Sequence, residues 1–590
     1  MTFEELASQE WLLTNGIGGF ASGTVAGCAT RRYHSLLTVA LTPPSGHRMA
    51  LLGGVDDTVI LENGEVYPLS THVHQDGTVY PQGYSYLTSY SQGRWEFTLP
   101  GLFAPVIRTL QFYPGKNAIR LEWHGLPKGA TLRLAPLVCW KDYHQQMAPW
   151  AGFPYRSELI EHGWLVQATP DAPELKLYTP YDTWEPAGWW NEHLWQAREA
   201  ERGFPATESL YCPATVTLDG NRRAVPYLVA SIEPERPTKR PVVPPQDAAK
   251  TFIVGDDTTR KTILAGYPWF TDWGRDTFIS LPGLCLTTGQ EKTAQEIVRD
   301  FAPWVRNGRI PNRFPDGNDT PAYNNVDGTL WFIHCIGLCR LAKEFSGLLQ
   351  TIIEAHRTNT VGDRIYADSD DLLRCGDSHT NLTWMDAKVD GVAITPRYDR
   401  PVEVQALWIN ALKVAGETER AAAAQTAFLE KFVRPDGQGL YDCLLPDGTP
   451  DASIRPNQVI AAALLDLPEE VNQVVLQVAT EHLLTPYGLR TLSPTDSRFC
   501  PRYEGDSHQR DSSYHQGTVW PWLIGSFCDL YKKVHGPDAN VAPFLAELKR
   551  HYAEDYGLEG IAEIFDGAAP HRPNGCPWQA WSLAEFLRHQ

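Results

Sequence analysis

The stretch Glu233–Gln246, EPERPTKRPVVPPQ, places five prolines within fourteen residues. Proline fixes φ and offers no backbone N–H, so neither a helix nor a central strand runs through such a segment. It reads as a linker. A chain of 590 residues also exceeds what one ordinary core serves. We therefore expect an N-terminal domain over 1–235, a proline-rich linker over 236–250 and a second domain over 251–590.

The two sides of the linker differ in periodicity. Before it, NAIRLEWHG (Asn117–Gly125) and TLRLAPLV (Thr131–Val138) alternate apolar and polar residues, and Gly, Pro and Asn-Gly steps punctuate short runs. An antiparallel β-sandwich is expected there. Within it, WWNEHLWQAREAERGF (Trp189–Phe204) reads as a helical insertion. After the linker, TAQEIVRDFAPWV, GTLWFIHCIGLCRLAKEF, VEVQALWINALKVAG, ERAAAAQTAFLEKFV, EEVNQVVLQVATEHLL and APFLAELKRHYAED carry helical periodicity. Longer loops rich in Gly, Pro, Trp, Asp and Arg separate them. This predicts an all-α array whose loops gather at one end, and a closed ring of helical hairpins fits that pattern.

A net charge of -19 disfavours nucleic-acid and anionic-membrane partners, which need a basic surface. No apolar run reaches membrane-spanning length, and MTFEELASQEWLL lacks a signal-peptide pattern. The 11 cysteines are scattered and odd in number, which suits reduced thiols. A cytoplasmic location is expected. The glycine-rich TNGIGGFASGTVAG (Thr14–Gly27) has neither the P-loop nor the dinucleotide pattern and reads as tight turns between strands. His72 and His74 alternate along a strand without further ligands, and His334, Cys335 and Cys339 fall on an apolar helix, so no metal site is expected.

Between the predicted helices one composition recurs. YPWFTDWGRDTFIS (Tyr267–Ser280) combines aromatic faces with Arg275 and Asp276. AYNNVDGTLWF brings Asp327, NLTWMDAKVDG brings Trp384 and Asp386, and RPVEVQALWIN brings Glu403. RDSSYHQGTVWPW brings Asp511, His515 and Gln516, and GIAEIFDGAAPHRPNGCPWQAWS brings Glu563 and Trp581. Neutral sugars need this mixture: rings cover their C–H faces, while carboxylates, Arg and Gln bind hydroxyls in fixed directions. Two carboxyls can also cleave a glycosidic bond, one as acid and one as base or nucleophile. Residue chemistry alone leaves open which two of Asp276, Asp327, Asp386, Glu403, Asp511 and Glu563 would do so.

Several strings, in order and spacing, resemble the glucosidase half of glycogen debranching enzymes, the amylo-α-1,6-glucosidases. They are AGYPWFTDWGRDTFISLPGL, YNNVDGTLWF, TWMDA, ITPRYDRPVEVQALW, LRTLSPTD, YHQGTVWPW and AEIFDG…GCPWQAWS. WLLTNGIGGFASGTV…TRRYHSLL is similar to the β-sandwich preceding the catalytic domain in bacterial and archaeal members. The resemblance implies an antiparallel β-sandwich followed by an (α/α)6 barrel of the six-hairpin glycosidase type. It implies inverting, exo-acting release of glucose from α-1,6 branch points of glycogen or a related α-glucan, without a metal or organic cofactor. Asp386 of TWMD matches the general acid and Glu563 of AEIFDG the general base. Trp273, Arg275, Asp276, Asp327, Trp384, Glu403, His515, Gln516 and Trp581 are the expected substrate-binding residues. The chain has no room for the separate transferase barrel of the larger eukaryotic enzymes, so glucosidase activity alone is expected. A glucoamylase-like α-1,4-glucosidase and a non-catalytic α-glucan-binding protein are the alternative readings.

Overall fold

The computed structural model describes all residues except 45, 181–182, 221–224, 243–246, 257 and 317–319. Part of the 236–250 linker thus lies outside the described residues. The chain forms two compact units, one of residues 1–259 with Glu554–Glu559, the other of 260–553 with 560–590.

The first unit is built from two eight-stranded antiparallel sheets. One contains, in spatial order, Glu10–Thr14, Phe20–Thr24, Ser35–Thr42, Gly46–Ile60, Thr131–Asp142, Thr207–Asp219 and Trp184–Trp195, with Val66–Pro68 paired to Gly46–Ile60. The other is centred on Tyr227–Ser231, Ala118–His124 and Val106–Phe112. Trp11, Leu52 and Val216 from the first sheet share one apolar core with Trp95, Leu121, Trp123 and Leu228 from the second. Burying such faces from water is the dominant force holding the sheets together.

Two details depart from simple alternation. Strand Ala118–His124 is buried through six successive positions, polar ones included. Arg120 and Glu122 are accommodated as a pair, Arg120 Nε donating to Glu122 Oε1 at 2.7 Å. The expected helical insertion at Trp189–Phe204 is corrected: Trp184–Trp195 is a strand, and only Ala197–Glu201 is helical. Pairing to Thr207–Asp219, with Trp190 opposite Tyr211 and their rings 5.1 Å apart, overrides the local helical composition. The glycine-rich segment does form a tight turn. Asn15 Oδ1 accepts from the N–H groups of Ile17 and Gly19 at 3.0 and 2.8 Å, and Gly16 and Gly18 have positive φ.

The hexapeptide Glu554–Glu559 lies against the edge strand Glu10–Thr14. Glu10 N–H donates to Tyr556 O at 2.6 Å, Leu558 N–H donates to Glu10 O at 2.9 Å, and Glu10 bridges Gly557 in parallel. The buried Glu10 carboxylate accepts from Arg31 Nε at 2.8 Å and faces His34 Nε2 at 3.0 Å. Arg31 Nη2 reaches Tyr556 OH at 3.2 Å.

The second unit is helical. Six of its helices are α1 (Gly274–Leu281), α2 (Asp327–Leu338), α3 (Val402–Val414), α4 (Asn457–Leu464), α5 (Leu523–His535) and α6 (Ala580–Leu587). Each packs on the next in this series, and α6 packs on α1. All but α5 bury most of their residues, and all eight residues of α1 are buried. The helices between them in sequence are amphipathic: Glu291–Phe301 buries only Ala294, Ile297, Val298 and Phe301, the one-sided stripe of a surface helix. Cys335 in α2 is fully buried, and His334 Nδ1 lies 3.2 Å from Asn410 Nδ2. In the first unit His72 Nε2 pairs with Asp56 Oδ1 at 2.6 Å. All 11 cysteines are free thiols, and no helix among the described residues is long and apolar enough to cross a membrane.

Candidate active site

Chain segments leading into the α-helices converge on a cavity of about 490 Å³ within the helical unit, a volume in the range of small-molecule sites. Its lining includes Trp273, Arg275, Asp276, Trp384, Asp386, Tyr514, His515, Glu563 and Trp581. The first unit holds a smaller hollow, about 80 Å³, among packed strands around Trp11 and Trp95.

Arg275 and Asp276 enter on the first turn of α1, where Trp273 occupies the N-cap position without a side-chain cap bond. Arg275 is 3% exposed, so this is no surface ion pair. Its Nε donates to both Asp327 oxygens at 2.9 and 3.0 Å, and its Nη1 donates to Asp386 Oδ2 at 3.1 Å. Asp327, on the first turn of α2, is buried and also accepts from Gly328 N–H at 2.8 Å. It therefore holds Arg275 in place and does not itself line the cavity. Burial pushes the Asp276 carboxyl up to about 8; Arg275 opposes the shift, and the nearby Glu563 and Asp386 carboxyls add to it. Gln579 Nε2 approaches Asp276 Oδ1 at 3.4 Å.

Asp386 follows Trp384 in a loop, with its side chain 32% exposed toward the cavity. Burial raises its carboxyl above the ordinary range, with Arg275 opposing. A shift in that direction is the one a general acid requires. Trp384 is fixed by edge contacts to the rings of His515, Trp520 and Trp522 at 5.2–5.5 Å, and its Nε1 donates to Asn457 Oδ1 at 2.8 Å.

Glu563 precedes the short strand Ile564–Phe565, which pairs with Val519–Trp520 in a five-stranded sheet and brings Glu563 beside the YHQGTVWPW segment. Glu563 Oε2 accepts from Cys576 N–H at 2.9 Å, and Oε1 accepts from the Tyr514 hydroxyl in a short hydrogen bond. Gly575 makes this geometry possible: a Cβ there would stand 2.4 Å from Glu563 Oε2, and its φ is +70°.

Besides Asp327, two further expected binding residues lie away from the cavity. Glu403 does not line the cavity. Both its oxygens are taken by the Arg397 fork at 2.5 Å, and Arg397 Nε donates to Asp442 Oδ2 at 2.5 Å. Gln516 is likewise set back, its Oε1 accepting from Arg455 Nη2 at 2.8 Å. These groups form a closed layer behind the cavity. Asn457 donates to Asp442 Oδ1 at 2.7 Å and accepts from Trp384, and Arg455 donates to the His515 carbonyl at 2.8 Å. The periodic position of Glu403 on α3 could not distinguish a residue facing a ligand from one facing a buried arginine. Conversely, Asp363, His379 and Thr380 line the cavity and are absent from the sequence-based candidates. His379 and Thr380 immediately precede the NLTWMDA string in the same loop, and Asp363 lies in the loop after the helix that ends at Arg357.

The arrangement joins a half-open acid, a carboxylate held by two donors, and aromatic walls with hydrogen-bonding capacity to spare. Gln579 Oε1, Trp581 Nε1 and both His515 ring nitrogens have no partner among the described residues. Burial, with Arg455, Arg275 and Arg397 nearby, holds His515 far below the ordinary imidazole range and hence neutral. Among the described residues no group of three or more His, Cys, Asp or Glu side chains could hold a metal ion.

Residues 247–588 match the family described as amylo-alpha-1,6-glucosidase, and residues 9–225 match glycogen debranching enzyme N terminal. The glycogen debranching enzyme of Saccharomyces cerevisiae is 25% identical over 459 residues; the match covers 55% of this chain and 30% of the yeast protein. A bacterial glucoamylase crystallised with acarbose shares the fold at a TM-score of 0.54, with 12% identity, over 98% of this chain and 91% of its own. A mannosylglycerate hydrolase from Thermus thermophilus gives a TM-score of 0.41, at 12% identity, over 55% of this chain and 95% of its own. By the extent of these matches, this chain belongs to the glycogen debranching enzyme family.

Proposed function

We propose that this chain is an inverting, exo-acting glycoside hydrolase that releases glucose from α-1,6 branch points of glycogen or a related α-glucan, without transferase activity. The observation that carries the reading is that Asp386 and Glu563 line one cavity walled by Trp273, Trp384 and Trp581. The helical unit is read as an (α/α)6 barrel, which the packing of α1 to α6 in series and of α6 on α1 supports. Asp386 protonates the glycosidic oxygen. Glu563 removes a proton from a water on the opposite face of the sugar, and that water attacks the anomeric carbon to give β-glucose. Arg275 and Asp276 bind hydroxyls of the terminal glucose, and Asp327 orients Arg275. His515, being neutral, can donate or accept toward a hydroxyl. The net charge of -19 leaves a neutral glucan unhindered. We place the enzyme in the cytoplasm, where its free thiols are stable.

The test is digestion of phosphorylase-trimmed glycogen with the released glucose followed by its anomeric form. β-Glucose, with little release from linear maltooligosaccharides, is expected. Release of α-glucose would overturn the inverting mechanism, and faster release from linear chains would assign the pocket to α-1,4 links.

A further inference from the structure

The motif YHQGTVWPW draws attention through His515 and Gln516, yet the side chain that reaches Glu563 is Tyr514. We infer that Tyr514 is a positioning residue for the base: its hydroxyl holds one oxygen of Glu563 while the Cys576 N–H holds the other. The inference rests on the reading of Glu563 as general base.

Three observations carry it. The first is directional. Glu563 receives a phenol on Oε1 and a backbone N–H on Oε2, so both ends of the carboxylate are located. A carboxylate oxygen has lone pairs beyond the one each donor takes, and pinning both oxygens aims those remaining. A general base must meet its water within hydrogen-bond reach in a fixed direction. The second is rigidity. The Tyr514 ring packs on His515 and Trp520, each at 4.8 Å, and on Tyr503 at 5.7 Å. Trp520 Nε1 donates to the Tyr514 carbonyl at 3.0 Å, which ties the ring's own backbone to the cavity wall. The third is location. Tyr514 itself lines the cavity, so its hydroxyl stands where the reacting water must be accommodated.

Electrostatics keep the phenol in its donor form. Burial and the Glu563 charge hold Tyr514 well above the ordinary phenol range, so it remains protonated at working pH. The titratable or charged groups facing Tyr514 and Glu563 are Tyr503, Asp386, Asp276, Arg275 and the neutral His515. A donor to the ionised carboxylate favours its charged form, the form a base needs.

The experiment compares Tyr514→Phe with wild type and with Glu563→Ala on branched dextrin and on α-glucosyl fluoride, with and without azide. Azide attacks the anomeric carbon as an anion while fluoride departs, giving β-glucosyl azide, and no proton need be removed. For Tyr514→Phe we expect kcat on both substrates to fall about 10- to 100-fold with KM within about twofold of wild type. Azide should raise fluoride release by Tyr514→Phe, with β-glucosyl azide as product, and leave wild type unchanged. The acidic limb of the kcat/KM profile should also move to higher pH, since the ionised base has lost a donor. A kcat within about threefold of wild type would overturn the inference, as would a loss of kcat that azide does not relieve. Glu563→Ala separates the two levels: without an azide response there, the reading of Glu563 itself fails; with one there and none in Tyr514→Phe, only the positioning role fails.

Discussion

Two groups of buried charges sit on either side of Trp384, and they are built differently. Toward the cavity, the single guanidinium of Arg275 faces Asp276, Asp327 and Asp386, and Glu563, which lines the same cavity, acts on Asp276. Behind it, Arg397 and Arg455 face Glu403 and Asp442, and the carboxylates are closed off by the Arg397 fork and by Asn457. The rear group is balanced and sealed. The front group carries an excess of carboxyls in a space open to ligand. Burial raises the carboxyls of Asp276, Asp386 and the rear Glu403 alike, and at Asp276 the neighbouring Glu563 and Asp386 carboxyls add to the rise. Imbalance beside a cavity is what acid–base chemistry needs, and balance away from it is what a scaffold needs.

The comparison breaks first on turnover. Glu563→Gln should lower kcat on branched dextrin by about 10²- to 10⁴-fold, the usual cost of removing a general base. Glu403→Gln, assayed per folded molecule, should stay within about threefold of wild type. Equal losses from both would erase the distinction between front and rear.

Stability provides the reverse contrast. Arg397→Met leaves Glu403 and Asp442 buried without their shared cation, and should cost about 3–5 kcal/mol by chemical denaturation. A cost under about 1 kcal/mol would mean that the rear group is no scaffold.

The pH dependence of stability sharpens the same point. Asp276 is raised from 3.8 to about 8 in the folded state. Between those values the unfolded chain has lost a proton that the folded protein keeps, so rising pH favours unfolding. Asp276→Asn removes this term. Its stability relative to wild type should therefore improve from pH 4 toward pH 8, by up to about 1.4 kcal/mol per pH unit. A difference that is flat with pH in paired denaturation curves would refute the raised, protonated Asp276 carboxyl.

The smallest effect belongs to the surface. Arg299 and Glu344 form a two-bond pair at 2.8 and 2.9 Å, with side chains 42% and 45% exposed. Arg299→Ala should cost no more than about 1 kcal/mol, because water and salt screen such pairs.

What can be read from the sequence follows that division only in part, since the largely buried α2 and α3 are also legible as helices in GTLWFIHCIGLCRLAKEF and VEVQALWINALKVAG. Helices with one wet face, such as Glu291–Phe301 and Thr418–Phe432, announce themselves by period. Helices α1 and α6, buried on nearly every side, carry no stripe, and their neighbourhoods stand out through aromatic-carboxylate loops instead. Strand Trp184–Trp195 is hidden from a local reading because its structure is imposed by a distant partner, Thr207–Asp219. At the site, Trp273, Arg275, Asp276, Trp384, Asp386, His515, Glu563 and Trp581 are all visible as candidates in the sequence and all line the cavity. Glu403 and Gln516 share their residue chemistry and face buried arginines. A sequence records which side chains can bind a hydroxyl, while the packing around each of them decides which faces the cavity.

The hexapeptide Glu554–Glu559 bears on how the molecule is made. The edge strand Glu10–Thr14, together with Arg31 and His34, leaves the ribosome long before its partner, since Tyr556 follows Arg31 by 525 residues. Through that interval of synthesis the edge stays open, and the Glu10–Arg31 pair lacks the tyrosine that helps to cover it. A fragment cut after residue 259 would carry the same gap permanently. The proline-rich linker separates two textures of sequence, but it does not mark a place where the protein divides into two finished pieces.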